Sequence, residues 1–396
     1  MTVGKTAPKS ATKAALTRLT WDQVLAHRMR VHHLDTPAPV GDLLEVVDRI
    51  CCLHAQLLSS AELSLWARVA GVTAGEAERA LWDRRDLVKI WAMRGTLHLV
   101  AARHYPVWQA ALGTYRHYTK PSWSKYFKIT QEQLAVMLPA IDEALSGRML
   151  GRDELADEVA HRTGIPELAD RLRDNWGATL KPSSFLGQLC FAPNRGPNVQ
   201  FTSPRSWLAA PPAAVDAGAA LATVTRRYLS AYGPASREDY ARWWGHSPAT
   251  AGRLITGLGD EVVAVDVEGV CGWMLASDAE AAATSAGPGV ARLLPAFDPW
   301  VIGASRNVSA YIADQFRDLV YRPQGWISPV VLVDGRIVGT WRHDVARGQV
   351  TVTVAPFPAV GPLSDARGWA YAAVEAEAAR LADFLGGSLS YHLGAA

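Results

Sequence analysis

Leu87-Val88-Lys89-Ile90-Trp91-Ala92-Met93-Arg94-Gly95-Thr96-Leu97-His98-Leu99-Val100 is the stretch from which the rest of the chain is read. Two β-rich runs flank Arg94-Gly95, and that pattern spells a hairpin. Helical stretches precede it. Thr20 is placed to cap a basic amphipathic segment, Trp21 to Leu34, with Trp21, Val24, Leu25 and Met29 on one face. Asp35-Thr36-Pro37 ends it. Leu43 to Ile50, Leu63 to Val69, and Ala74 to Trp82 with Thr73 as cap, also carry helical spacing. Helices closed by a hairpin form the outline of a winged helix, in which the hairpin covers the open side of a small helical core.

The outline recurs. Glu154 to His161 and Lys181 to Phe185 precede the strands Gln188–Phe191 and Val199–Thr202, with Pro193-Asn194-Arg195-Gly196 as the turn. Ala220 to Tyr232, Arg237 to Trp244 and Ser247 to Leu258 precede Val262–Val267 and Cys271–Leu275, split by Glu268-Gly269. The repeat is one of architecture, in units of about seventy residues, and not of strict sequence. Pro211-Pro212 and the Ala/Ser/Gly-rich Ser277–Gly289 read as boundaries. The last quarter differs. Ile327–Val333 and Arg336–Trp341 face each other across Asp334-Gly335. Arg342 to Gly348 reads as a polar tip, Gln349–Val354 as a strand, and Asp365–Leu385 as an Ala-rich helix stopped by Gly386-Gly387.

At 396 residues the chain is long enough for two to four domains of roughly 100–200 residues. Its 40 Lys plus Arg against 38 Asp plus Glu give +2, which excludes a histone-like or acidic solvating protein but leaves room for one basic face. With 49% hydrophobic and 20% charged residues it is no disordered chain. No stretch of eighteen uncharged apolar residues is present, so no membrane helix is expected. Lys5, Lys9 and Lys13 have no apolar segment behind them, so residues 1–20 read as a flexible basic arm and not a secretory signal. The cysteines Cys51, Cys52, Cys190 and Cys271 make no CxxC pair, which suits a reduced cytoplasm. Cys51 and His54 share i, i+3 spacing, but no second cluster completes a zinc set, so neither metal nor cofactor is expected.

The phosphate-binding, zinc-protease, nucleophile-elbow and dinucleotide motifs are all missing. An enzyme with so spare a site suits a substrate that is already activated. Five blocks then carry a resemblance. They are Leu53-His54-Ala55-Gln56, Trp91 to Leu99, Tyr232-Gly233-Pro234-Ala235, Leu294-Pro295-Ala296-Phe297-Asp298-Pro299 and Trp326 to Gly335. In this order they resemble the bacterial AlkZ/YcaQ-like winged-helix DNA glycosylases, over nearly the whole chain. The resemblance implies an α+β fold of three tandem winged-helix units around a concave DNA channel, plus a C-terminal β-rich domain and terminal helix. The units fall at 21–140, 141–215 and 216–285, with the β-rich domain at 286–396. It also implies excision of alkylated bases, notably bulky N7-alkylguanines or interstrand crosslinks, in repair or in self-resistance to a genotoxin. The partner is then double-stranded DNA carrying alkylated purines, and the protein is expected to be a monomer in the cytoplasm, associated with the nucleoid when on DNA. The family's catalytic motif is Gln, an apolar residue, then Gln or Asp. Here it aligns with His54-Ala55-Gln56, so Gln56 matches and His54 is a variant first position.

The chemistry stands beside the resemblance. An N7-alkylated guanine is cationic, so its glycosidic bond is weak and the leaving base needs little acid. What remains is an oxocarbenium-like sugar and an attacking water. Side chains at i and i+2 converge only on an extended or irregular segment. At an ordinary pKa of about 6.5 a histidine accepts a proton near neutrality. His54 is therefore assigned as base or water ligand, and Gln56 as water-positioner and oxocarbenium stabiliser. The plainer reading is a histidine that caps a helix or satisfies a core.

Other candidates each carry a functional and a structural reading. Arg94, Thr96 and His98 share one face if they lie on a strand, or else shape the hairpin turn. Lys120, Trp123 and Lys125 belong to an aromatic and basic run from Trp108 to Lys128, either a stacking platform or helix packing. Arg342, His343 and Arg347 either probe a groove or end a solvated hairpin. Asp298 is a catalytic carboxylate or, more simply, a turn or N-cap residue. The rival function is a non-enzymatic winged-helix DNA-binding regulator. It needs a recognition helix rich in Arg, Asn or Gln, and no helix shows that concentration.

Overall fold

The computed structural model describes residues 16–210, 212–358 and 368–394. Lys5, Lys9 and Lys13, the Pro211 boundary and the first residues of the expected terminal helix lie outside the described residues. Helices and small sheets alternate through a mixed α+β fold.

Three small sheets share one wiring. The first joins Leu53–His54, Leu97–Ala101 and Leu87–Trp91, in that order. The second joins Leu150–Gly151, Asn198–Thr202 and Cys190–Arg195. In the third, Val262–Val267 pairs with Val270–Leu275, and Ala235 bridges to Trp273. Each time a segment too short to show a period docks antiparallel on the second strand of the hairpin. Each time helices lie between that segment and the hairpin: Leu58–Trp66 and Glu76–Glu78, then Arg152–Thr163, Glu167–Arg173 and Lys181–Phe185, then Arg237–Trp244 and Pro248–Thr256.

Local chemistry explains the element ends. Thr20 caps Trp21–Val31 by a reciprocal box, accepting from Gln23 N at 3.2 Å while Gln23 Oε1 accepts from Thr20 N at 2.9 Å. The sequence puts Thr73 at the next cap; instead Gly75, at φ 81°, takes that place. The Glu62 carboxylate then accepts from Glu76 N at 2.9 Å and Ala77 N at 3.0 Å. A carboxylate from another helix satisfies the orphan donors, which a local signal cannot reveal.

Three boundaries differ from the sequence reading. Thr17–Leu19, placed in the flexible arm, is a strand parallel to Val265–Val267, so the N-terminal segment is stitched to the third unit. Ser277–Gly289 is no linker at its start: Ala276–Ala283 is a helix, and Ala283 O accepts from Gln23 Nε2 at 2.6 Å. Alanine favours helix wherever packing is at hand, so richness in Ala misled the boundary. The helix expected over Leu63–Val69 instead spans Leu58–Trp66.

The C-terminal sheet runs Ala291–Leu294, Val330–Val333, Arg336–Ala346, Gln349–Pro356, Ser388–Leu393. Its last pair is parallel, which requires a crossover, and helix Trp369–Phe384 supplies it. The polar tip expected over Arg342–Gly348 is mostly strand, since Arg342 pairs with Thr353 and His343 with Val352. Only Arg347, at φ 51°, and Gly348, at φ 74°, make the turn.

Buried polar contacts lock the units together. Arg68 and Asp298, both fully buried, form a two-pronged ion pair at 2.7 and 2.8 Å. Asp298 also accepts from Ser64 Oγ at 3.0 Å and caps the helix Pro299–Gly303 through Trp300 N at 2.9 Å. Its role is structural. Tyr232 Oη donates to Ile50 O at 2.7 Å, just ahead of the strand that carries His54. Gly303 makes room for that ring, because a Cβ there would sit 2.1 Å from it.

Candidate active site

Tertiary pairing fixes the backbone around His54. Leu53–His54 is extended, and Ala55 N continues the edge by donating to Leu97 O at 2.8 Å. The segment is thus not helical: it is extended as far as Ala55 and bends at Gln56. Ala55 is fully buried and anchors the segment, while Gln56 is exposed. His54 is 7% exposed, and its Nδ1 is buried without a partner.

Two rings hold the imidazole, and a third backs one of them. Phe297 stacks on it at 4.9 Å and 18°. His98, its partner in the strand register, meets it edge-on at 5.2 Å. Trp326 meets Phe297 edge-on at 4.9 Å. Burial, and then the charge of Arg94, push the His54 pKa down to about 4. The sequence assumed an ordinary histidine; here burial keeps the ring neutral at pH 7. Burial likewise holds His98 well below the usual range. Its Nδ1 lies 3.0 Å from Thr96 O, and a carbonyl only accepts, so Nδ1 carries the hydrogen.

The direction of the His54 shift sets a pH profile. If His54 is the base or water ligand that the resemblance implies, the neutral ring is the acting form, and the base excision expected of the chain, corrected for spontaneous depurination, stays flat from pH 8 to about 5 and falls only toward pH 4. A midpoint near 6.5 in the pH–rate profile would contradict this. Stability follows the same sign. The unfolded histidine binds a proton near 6.5 and the folded one near 4, so this contribution is full above 6.5 and is lost as pH falls between them.

The other candidates separate. Arg94 does not share a strand face with Thr96 and His98. It sits in the turn at φ 56°, and its guanidinium donates to Trp243 O and, at 3.3 Å, to Arg242 O, at the end of helix Arg237–Trp244. Left-handed backbone breaks the two-residue alternation, and a helix C-terminus attracts the cation. Thr96 closes the turn by donating to Met93 O at 3.0 Å. His98 is 3% exposed, beneath His54. In the aromatic run, Trp108, Tyr115, Tyr118 and Trp123 are buried, so Trp123 offers no stacking face; Lys120 and Lys125 are exposed. Arg342 and Arg347 are exposed along the outer end of the C-terminal hairpin, with His343 half-buried.

Sequence reasoning missed Phe297, Trp326 and Lys181. Lys181 packs over the hairpin turn, where its side chain would lie 2.9 Å from a Cβ at Gly95. Nothing local announces these contacts, although Phe297 and Trp326 lie inside quoted blocks. Cavities of about 610 Å³, between His27, Asp48 and Arg227, and about 630 Å³, between Arg152, Arg173 and Arg195, are lined by other residues. Among the described residues no group of three His, Cys, Asp or Glu is placed to hold a metal, and no helix is long and apolar enough to cross a membrane.

The chain has known relatives. A family described as DNA glycosylase AlkZ-like matches residues 47–384. The interstrand DNA cross-link repair glycosylase of Streptomyces sahachiroi is 35% identical over 369 residues, spanning 92% of this chain and 96% of that protein. The solved structure of Streptomyces sahachiroi DNA glycosylase AlkZ aligns with a TM-score of 0.85 at 33% identity, covering 95% of this chain and all (100%) of that one.

Proposed function

Because this chain belongs to the AlkZ-like family of DNA glycosylases, and is therefore a DNA-repair enzyme, we propose that it hydrolyses the glycosidic bond of bulky N7-alkylguanines in duplex DNA, crosslinked ones included. The regulator reading falls with family membership. The observation that carries the proposal is the non-helical His54-Ala55-Gln56 segment, with a buried imidazole held neutral and an exposed carboxamide two residues on.

The cationic base leaves without a strong acid. The Gln56 carboxamide oxygen faces the positive charge growing at the deoxyribose, and the His54 lone pair holds the attacking water. A weak base suffices, because the electrophile is nearly a free cation. The product is an abasic site; no amine is needed, so strand cleavage is not part of the reaction. In this reading the three helix–hairpin units are winged helices lining a duplex channel, and Lys120, Lys125, Arg342 and Arg347 meet phosphates or a groove. His343, half-buried next to Arg342, helps to shape the outer end of the C-terminal hairpin. The protein works alone, as a monomer. Such an enzyme also guards a cell that makes a DNA-alkylating product. A relative whose name declares interstrand crosslink repair supports the crosslink part.

The test is direct. Duplex carrying a single N7-alkylguanine is expected to yield alkali-labile abasic sites and free alkylated base on incubation with pure protein. A mobility shift with intact glycosidic bonds would refute the enzymatic proposal.

A further inference from the structure

Trp326 is 47% exposed, although burial of an indole is strongly favoured. It does not sit on a loose loop. Tyr321 bridges to Ile327, Arg322 N donates to Trp326 O at 2.9 Å, and Trp326 N donates to Pro323 O at 3.3 Å. Below, Ser328 N donates to Val320 O at 3.0 Å and Ser328 Oγ to Leu319 O at 2.8 Å. Gln324, at φ 60°, and Gly325, at φ 78°, make the tight reversal. The five residues 322–326 are all exposed, so the loop is a rigid stalk that lifts an indole into solvent.

The stalk is aimed. The indole meets Phe297 in a T-shaped contact at 4.9 Å and 73°, and Phe297 lies flat on His54. Phe297 holds this pose at φ 59°, a left-handed conformation costly for an aromatic residue. The next residue, Asp298, is fixed by Arg68, Ser64 and Trp300 N, which over-determines the backbone there. Strain retained beside a reactive group points to a positioned surface. The two steps place the indole within about 10 Å of the imidazole. A methyl group on guanine N7 ends well short of that span, whereas a flat polycycle on N7 covers it.

We propose that Trp326 is a specificity-determining residue: its exposed indole stacks on the planar aromatic part of an N7 substituent, while Phe297 positions His54. The inference rests on the N7-alkylguanine reading and adds to it a chemical class of substituent and the residue that selects it. Stacking on an aromatic side chain is worth ~1–3 kcal/mol, or about five- to 150-fold in rate or affinity.

The test compares two duplexes, one with N7-methylguanine and one with N7-(anthracenylmethyl)guanine. For wild-type protein and the variants Trp326→Ala and Trp326→Phe, kcat/KM is measured on both. Trp326→Ala is expected to lower the anthracenylmethyl-to-methyl ratio about tenfold, and Trp326→Phe to restore most of it. A folding defect lowers both rates together and leaves the ratio where it was. An unchanged ratio, with wild-type protein releasing both bases, overturns this inference alone. Release of neither base by wild-type protein overturns the underlying reading, and this inference with it.

Discussion

Gln56→Ala is expected to slow base release about a hundredfold or more, the usual cost of removing one preorganised dipole from a developing charge. Because Gln56 is exposed, the same change should move stability by no more than about 0.5 kcal/mol and leave duplex binding near its wild-type value. Single-turnover excision beside a filter-binding isotherm checks both. His54→Ala should cost a comparable factor, but it also opens a gap between Phe297 and His98, so His54→Gln is the cleaner companion. Gln at that position matches the usual motif of the family. Its carboxamide can still hold a water, so His54→Gln should retain more activity than His54→Ala. Excision at the wild-type rate by Gln56→Ala would remove this segment from the chemistry.

Arg68→Ala carries the largest expected loss of stability, about 3–5 kcal/mol. The guanidinium is fully buried and supplies two of the four donors that Asp298 accepts. Removing it strands a carboxylate in the core without removing the cost of its desolvation. Urea unfolding should show the midpoint falling with little change in slope. The effect should also reach the active segment, because Asp298 holds the backbone on which Phe297 rests against His54. A loss under about 1 kcal/mol would mean that water reaches the pair and that its burial is not the controlling term.

The helix cap at Thr20 was legible because it rests on a contact three residues away, and the hairpin at Leu87–Ala101 because its two strands lie within one short stretch of chain. So was the turn at Arg94-Gly95. The short strands Leu53–His54 and Leu150–Gly151 were not, since two residues have no period and gain their structure from partners far along the chain. The strand Ser388–Leu393, beyond Gly386-Gly387, also went unread; its partner Gln349–Val354 lies far back in the chain, across a helix. Trp123 looked like a stacking residue because composition cannot tell which face of a helix is covered.

Periodicity, turn chemistry and the order of the quoted blocks established the repeated helix–hairpin plan and singled out His54 and Gln56, because those signals are local and survive in one dimension. The electrostatic state of His54, the diversion of Arg94 to the end of another helix, and the aromatic ladder from His54 through Phe297 to Trp326 arose only on folding. Desolvation and ring stacking depend on which distant segments pack together, and no spacing within a single stretch encodes that.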